Sequence, residues 1–162
     1  MQESDAPALR AIYAPYVLDS AASFEETVPT EEEFAARVHK YLSAWAGVVA
    51  EVDGRVVGYA YGGPHRERAA YRWSVETSAY VHAGHHGRGI GRRLYEALLP
   101  ELSARGYCNA YAGITLPNDA SVALHEAVGF ARIGVFPRVG HKFGRWHDVA
   151  WLHRVLRQAP PA

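Results

Sequence analysis

The stretch AYVHAGHHGRGIGRRLYEALL, residues 79–99, constrains the fold more than any other part of the chain. The alternating segment YRWSVETSAYVHA reads as a strand and runs into a loop carrying Gly87, Gly89 and Gly91. A helix follows from about Gly91 to Ala104, with Gly106 as its stop. YCNAYAGI then reads as another strand. A strand, a helix and a second strand in that order form a crossover, which calls for a mixed α/β sheet.

The flanking segments fit that frame. SDAPALRAIYAPYV places Leu9, Ile12, Tyr13 and Tyr16 at helical spacing, and Pro15 is expected to kink or end the helix. Residues 19–28 read as loop. Thr30 with Glu33 is a capping box, opening a helix whose apolar stripe is Phe34, Val38, Tyr41 and Leu42. GVVAEVDGRVVGYAYG reads as a hairpin turning at Asp53-Gly54. PNDASVALHEAVGF is a short helix, capped by Asn118 or Asp119 and closed by Gly129. Strands are expected near 131–137 and 147–156.

The glycine loop asks for a ligand. A helix N-terminus offers unpaired N–H groups and partial positive charge. Arg92 and Arg93 in the first turn oppose that dipole, and Arg88 adds a third cation. Bare backbone beside three cations fits a phosphate or pyrophosphate; a surface turn with solvated arginines is the alternative. A dinucleotide fingerprint fails on spacing, because its third glycine falls on Arg92 or Leu94. The Gly-Lys-Ser/Thr of a phosphate-binding P-loop is absent.

Composition removes other classes. The net charge is zero, so nothing points to bulk nucleic-acid or membrane attraction. Cys108 is the sole cysteine, which excludes an internal disulfide and suggests a reducing, cytoplasmic setting. His82, His85 and His86 straddle a strand–loop junction without acidic or cysteine ligands nearby, so no metal is expected.

The strand, HGRGIG and the amphipathic helix together resemble motif A of the GNAT acetyltransferases, Gln/Arg-x-x-Gly-x-Gly/Ala, with His86 in the first position. YAYGGPHRERAAYRWSVETSAYV, LPNDASVALHEAVGF and GHKFGRWHDVAWL resemble the phosphinothricin/methionine sulfone branch of that family. The resemblance runs from about residue 5 to 156. It implies a single domain over residues 1–162 with the α/β GNAT fold. That fold is a mixed, mostly antiparallel sheet of about six to seven strands, flanked by helices, whose central strands splay. Family members usually begin with a short strand, and this chain starts almost on its first helix, so that edge strand is expected to be missing or a stub.

The resemblance also implies an activity: acetyl transfer from acetyl-CoA to the α-amine of a small amino acid or analogue, by direct attack in a ternary complex within a homodimer. The alternatives are acetylation of a peptide N-terminus, polyamine or aminoglycoside, or an acyl-CoA or amino-acid sensor without turnover. An acidic pocket would suit a polyamine or aminoglycoside, and the basic HRER loop argues against one.

Site residues follow from both lines. Main-chain contacts to CoA are implied at Ala79, Tyr80 and Val81, and at Gly87, Arg88, Gly89, Ile90, Gly91 and Arg92. Val81 is also the implied neighbour of the oxyanion donor. Alternation puts Glu76 on one strand face with Ser74 and Ser78. It is a solvated carboxylate or, as the resemblance implies, the general base. His125 is mid-helix among apolar neighbours, either a core histidine or, by resemblance, a partner in proton transfer. Asn118 is a helix cap that the resemblance also places against the CoA arm. Arg66, Arg68 and Tyr71 belong to an ordinary charged loop or, as the resemblance implies, offer fork-shaped donors and a phenol to an acidic or sulfone substrate group. Phe24 and Lys142 are weaker pocket candidates; Trp146, His147 and Asp148 fit structural roles as well. Cys108 reads as a packed thiol rather than an acyl carrier.

Overall fold

The structure is a computed structural model that describes residues 1–161; Ala162, the end of the expected domain, lies outside the described residues. Helices α1 (Ala6–Leu18) and α2 (Glu31–Ala44) precede a hairpin of β1 (Gly47–Val52) and β2 (Arg55–Pro64). Then come β3 (Ser74–Val81), α3 (Ile90–Ala104), β4 (Asn109–Thr115), α4 (Asp119–Ala127), β5 (Ala131–Lys142) and β6 (Arg145–Val155). The six strands form one sheet in the order β1-β2-β3-β4-β6-β5. Only β3 and β4 run parallel, joined by α3 as the crossover. Among the described residues no strand precedes α1; Glu3–Asp5 is a single 3-10 turn.

Local chemistry sets several boundaries. Thr30 Oγ1 accepts from the Glu33 N–H (3.2 Å) and Glu33 Oε2 from the Thr30 N–H (2.8 Å), so the capping box is closed at both ends. Asp53 and Gly54 both have positive φ, 51° and 73°, as the tight hairpin needs. Helix α1 does not end at Pro15 but runs one further turn to Leu18. The last hairpin is also longer than its sequence suggests. Pro137 and Arg138 read as a strand end, yet they form a bulge in β5, with Arg138 at φ 51° and its N–H donated to Asp148 Oδ1 at 2.7 Å.

Two cores clamp the sheet. On one face Leu9, Ile12, Tyr13 and Val17 of α1 meet Phe34 and Val38 of α2 over Tyr59. On the other, α3 buries Leu94, Tyr95, Leu98, Leu99 and Leu102, and each buried leucine contributes about 1.5–3 kcal/mol. Helix α3 lies close because β2 presents small residues beneath it. A Cβ on Gly58 would stand 3.3 Å from both Ile90 and Leu94, and one on Gly62 would stand 2.8 Å from Leu102. That contact fixes where the α3 N-terminus sits relative to the end of β3.

The central pair then opens. β3 and β4 are in register only from Ser74–Asn109 to Glu76–Tyr111. Beyond that, β3 stays with β2 through Val81, and β4 stays with β6 through Thr115. A cleft opens where the ladder stops, with the Thr77 hydroxyl donating to the Tyr111 carbonyl (3.3 Å) at its apex.

Candidate active site

The cleft forms a cavity of about 510 Å³. Ala79, Tyr80 and Val81 make one wall, and Gly113, Ile114 and Thr115 the other. Gly87, Gly89, Ile90, Gly91 and Arg92 close its mouth, and Asn118 and His125 reach it from α4. These include every cofactor-site residue expected from the sequence except Arg88, which is exposed outside the lining.

The mouth is a backbone cradle. Gly87 and Gly89 have φ of 73° and 74°, a region side chains resist, and space is open where their Cβ atoms would sit. Gly89 is the N-cap of α3, so the first amides of the helix face outward without intrahelical partners. Gly91 serves packing instead: its Cβ would come within 2.8 Å of Leu124. Arg92 pairs with Glu96 one turn on (2.7 Å), leaving Arg88 and Arg93 as the exposed cations of the loop.

The end of β3 is tied to α1. The Tyr16 hydroxyl donates to the Val81 carbonyl (2.6 Å) and receives the Val81 N–H at a long 3.3 Å. His86 Nε2 stands 2.8 Å from the same carbonyl and 3.0 Å from that hydroxyl. The unusual first residue of the loop motif is therefore a fastener between loop, strand and helix. Tyr80 contributes main chain to the wall, since its ring packs on Tyr13 and Tyr16 at 4.9 and 5.0 Å.

His125 is buried, and both ring nitrogens are engaged. Nδ1 donates to the Ser121 carbonyl (2.7 Å), which leaves Nε2 to accept from the Tyr95 hydroxyl (2.8 Å). Burial pulls its pKa down, against the Ser121 carbonyl, and burial pushes the Tyr95 phenol up. The imidazole is a neutral wall element with no free lone pair for a proton. Asn118 caps α4 through Oδ1, which accepts from the Ser121 N–H at 3.1 Å.

Glu76 is the last residue of β3 paired to β4, at the point of divergence. It lines neither cavity wall directly; its neighbours Thr77 and Ser78 line the cleft. Its Oε1 accepts from His65 Nδ1 at 2.9 Å. Burial raises the carboxyl pKa, while the interaction with His65 and the Arg66 charge pull it back. On the far side of His65 lies a second cavity of about 210 Å³, whose lining includes Arg66, Tyr111, Ile133, Phe136 and Trp151. The Trp151 Nε1–H is buried there without a hydrogen-bond partner among the described residues.

Three substrate residues were expected near this place, and the structure brings two of them to it. Arg66 lines the second cavity, and Tyr71 stands edge-on to His65 at 5.7 Å. Arg68 is exposed and lines neither cavity. Lys142 and Phe24 line neither of these two cavities. Lys142 Nζ is buried and donates to three carbonyls, Val17 (2.7 Å), Ser20 (2.9 Å) and Ser23 (2.7 Å), which locks the end of α1 to the last hairpin. Phe24 packs near His147 at 6.1 Å. His147 is buried against the Lys142 carbonyl (3.1 Å), Asp148 holds the β5 bulge, and Trp146 is exposed. Cys108 is buried and free, away from both cavities.

Comparison with known proteins agrees with this geometry. Residues 1–151 match the acetyltransferase (GNAT) domain family. The chain is 40% identical over 158 residues to the phosphinothricin N-acetyltransferase of Alcaligenes faecalis, covering 96% of this chain and 80% of that protein. It is 37% identical over 163 residues to the L-methionine sulfoximine/L-methionine sulfone acetyltransferase of Salmonella typhimurium, covering 99% and 95%. A solved acetyltransferase of Salmonella typhimurium, described with its cofactor acetyl-CoA, superposes with a TM-score of 0.95 at 35% identity, over 100% of this chain and 95% of that one. A cleft between splayed strands, a glycine cradle at a helix N-terminus and these relatives lead to one conclusion: the chain belongs to the GNAT acetyltransferase family.

Proposed function

We propose that this chain is an N-acetyltransferase acting on the α-amine of a small amino acid or analogue of the phosphinothricin or methionine sulfone type. The observation that carries this reading is the junction at Glu76. A half-exposed carboxylate stands where the sheet splits, beside a small cavity lined by a basic side chain and an indole ring. Relatives whose names specify such substrates support the choice of amine.

The roles follow from placement. Acetyl-CoA, when bound, supplies the thioester carbonyl and the leaving thiolate. The amides of Gly89 to Arg92 hold its phosphates, with Arg88 adding charge at the rim. Asn118 adds a contact to its arm. Glu76 takes one proton from the substrate ammonium, directly or through a water, and frees the amine to attack. The Val81 N–H, held only by a long bond, turns to the developing oxyanion. The second amine proton passes to the departing thiolate, so the products are the amide, the CoA thiol and one proton released by Glu76. Arg66 meets the acidic or sulfone end of the substrate, and Tyr71 borders that pocket. His125 and Tyr95 shape the wall.

Two further readings belong here. A second copy covers exposed apolar residues of β5, among them Val135 and Val139; a monomer by sedimentation at micromolar concentration contradicts this. Residues 1–162 form one acetyltransferase domain working in the cytoplasm, in keeping with its free cysteine. No helix among the described residues is long and apolar enough to cross a membrane.

The test is free CoA thiol release from purified protein and acetyl-CoA. The amine panel holds L-phosphinothricin, L-methionine sulfone, L-methionine sulfoximine, common L-amino acids, spermidine, a short peptide and an aminoglycoside. Release with the sulfone, sulfoximine or phosphinothricin is expected. Release with spermidine, the peptide or the aminoglycoside alone contradicts the proposed substrate class.

A further inference from the structure

Two histidines stand near the reaction path, and only one touches the carboxylate. His125 spends both nitrogens on Tyr95 and Ser121. His65 gives Nδ1 to Glu76 at 2.9 Å. We propose that His65 is a positioning residue for Glu76, a ring held by aromatic neighbours so that its Nδ1–H fixes one carboxylate oxygen and leaves the other to meet the substrate ammonium.

The ring is held on several sides. It stacks on Tyr111 with centroids 4.6 Å apart and planes at 16°. Tyr71 meets it edge-on at 5.7 Å, and Trp151 edge-on at 6.4 Å. Tyr111 is backed in turn by His153, stacked at 4.8 Å, whose Nε2 is anchored 2.8 Å from Asn109 Oδ1. His65 keeps only 14% of its side-chain surface exposed, while Glu76 keeps 39%. The imidazole is therefore the fixed member, and the carboxylate is the one open to a ligand. Glu76 Oε2 has no hydrogen-bond partner among the described residues.

Register makes the contact. Gly63 pairs with Glu76 and Pro64 with Val75 across the β2–β3 hairpin, so the chain leaving β2 carries His65 back over the Glu76 side chain. Nδ1 donates to a carboxylate either as the neutral Nδ1–H tautomer or as imidazolium. The ionisable groups around the pair are Arg66 on the same loop, Tyr71 on the 3-10 turn, Tyr111 on β4 and His153 on β6. Arg66 is the one permanent charge among them. A donor aimed at the ionised carboxylate favours that form over the protonated one. The His65 donor thus opposes the upward push that burial gives the Glu76 carboxyl.

The inference rests on the reading of Glu76 as the base, and its test has a readout independent of turnover. The Glu76 carboxyl is followed by carbon-13 NMR in glutamate-labelled protein, assigned by its loss in Glu76→Gln. His65→Phe keeps a flat ring for the Tyr111 stack and removes the donor. His65→Asn places an amide N–H near the Nδ1 position without the ring. The Glu76 titration midpoint is expected to rise in His65→Phe and to return toward the wild-type value in His65→Asn. The acid limb of kcat/KM moves the same way, with about a tenfold loss below neutral pH that shrinks as pH rises. A midpoint and an acid limb unmoved in His65→Phe overturn the proposal, and so does a loss equal at all pH values. If His65→Phe fails to fold, His65→Leu takes its place, with the same rise in midpoint expected and an unmoved midpoint overturning the proposal. If Glu76→Gln keeps full activity, the base reading fails, while the titration still reports on the His65 contact.

Discussion

His65 and His125 share a residue type and differ in everything that sets their chemistry. His125 lies inside, between α3 and α4, where neutral hydrogen bonds consume both nitrogens and burial removes its charge. His65 sits at the rim of the sheet, facing a carboxylate and a permanent cation. The difference shows how the fold separates support from chemistry. The interior residue lines the cleft, and the rim residue is the one proposed to tune the carboxylate.

The sharpest way to break this division is at Glu76. Glu76→Gln is expected to lower kcat by about a hundredfold or more at neutral pH, read by thiol release with L-methionine sulfone. The same change should raise the melting temperature at neutral pH. A carboxyl whose folded pKa is raised contributes its stability at low pH and loses it as pH climbs through the folded value, so the ionised Glu76 is a burden there. A fall in melting temperature would show that Glu76 is structural.

Lys142 is the support-side counterpart. Lys142→Met strands the carbonyls of Val17, Ser20 and Ser23 and is expected to cost about 3 kcal/mol in denaturant unfolding. The chemical step should keep its pH profile. A changed acid limb in that variant would put Lys142 back in the site.

Gly89→Ala is smaller in effect. The strained φ of 74° should cost about 1–2 kcal/mol and raise KM for acetyl-CoA more than it lowers kcat. An unchanged KM would argue that the loop backbone does not hold the phosphates.

The smallest effect is the pH dependence of stability at His125. Its folded pKa lies below the ordinary value of about 6.5, so the unfolded chain binds the extra proton and stability falls as pH drops below about 6.5. His125→Gln should show a smaller loss of melting temperature between about pH 7.5 and about pH 5.5 than the wild type. An equal loss would mean the imidazole is not held neutral.

Much of this was legible in the sequence, for reasons that differ by region. The cradle at Gly87 to Gly91 could be read because backbone binding leaves its mark as glycine and as cations in a first helical turn. The crossover, the capping box and the Asp53-Gly54 turn were readable because each is local. The order of the strands within the sheet was not read from the sequence. Contacts made across long separations left no mark. Tyr16 meets Val81 across 65 residues, and Lys142 meets carbonyls up to 125 residues away, so one read as a helix stripe and the other as a pocket candidate. For His125 the sequence left a core histidine and a proton-transfer partner both open, and the Tyr95 hydroxyl, 30 residues earlier, that meets its second nitrogen left no mark there. His65 is the instructive omission. It is only 11 residues from Glu76, and the hairpin register that joins them could have been traced from the paired strands. The length of β5 was hidden by Pro137 and by a bulge whose Arg138 N–H is taken up by the Asp148 side chain.

The central claim is that Glu76, at the point where β3 leaves β4, removes the proton from the substrate ammonium. The most direct test is the pH dependence of acetyl transfer to L-methionine sulfone by the wild type and by Glu76→Gln, measured side by side. The account predicts a large deficit in the variant at neutral pH that closes as pH approaches the amine's own pKa, where solution supplies the free amine. A variant that keeps the wild-type rate at neutral pH, or a deficit that stays constant at all pH values, would contradict it.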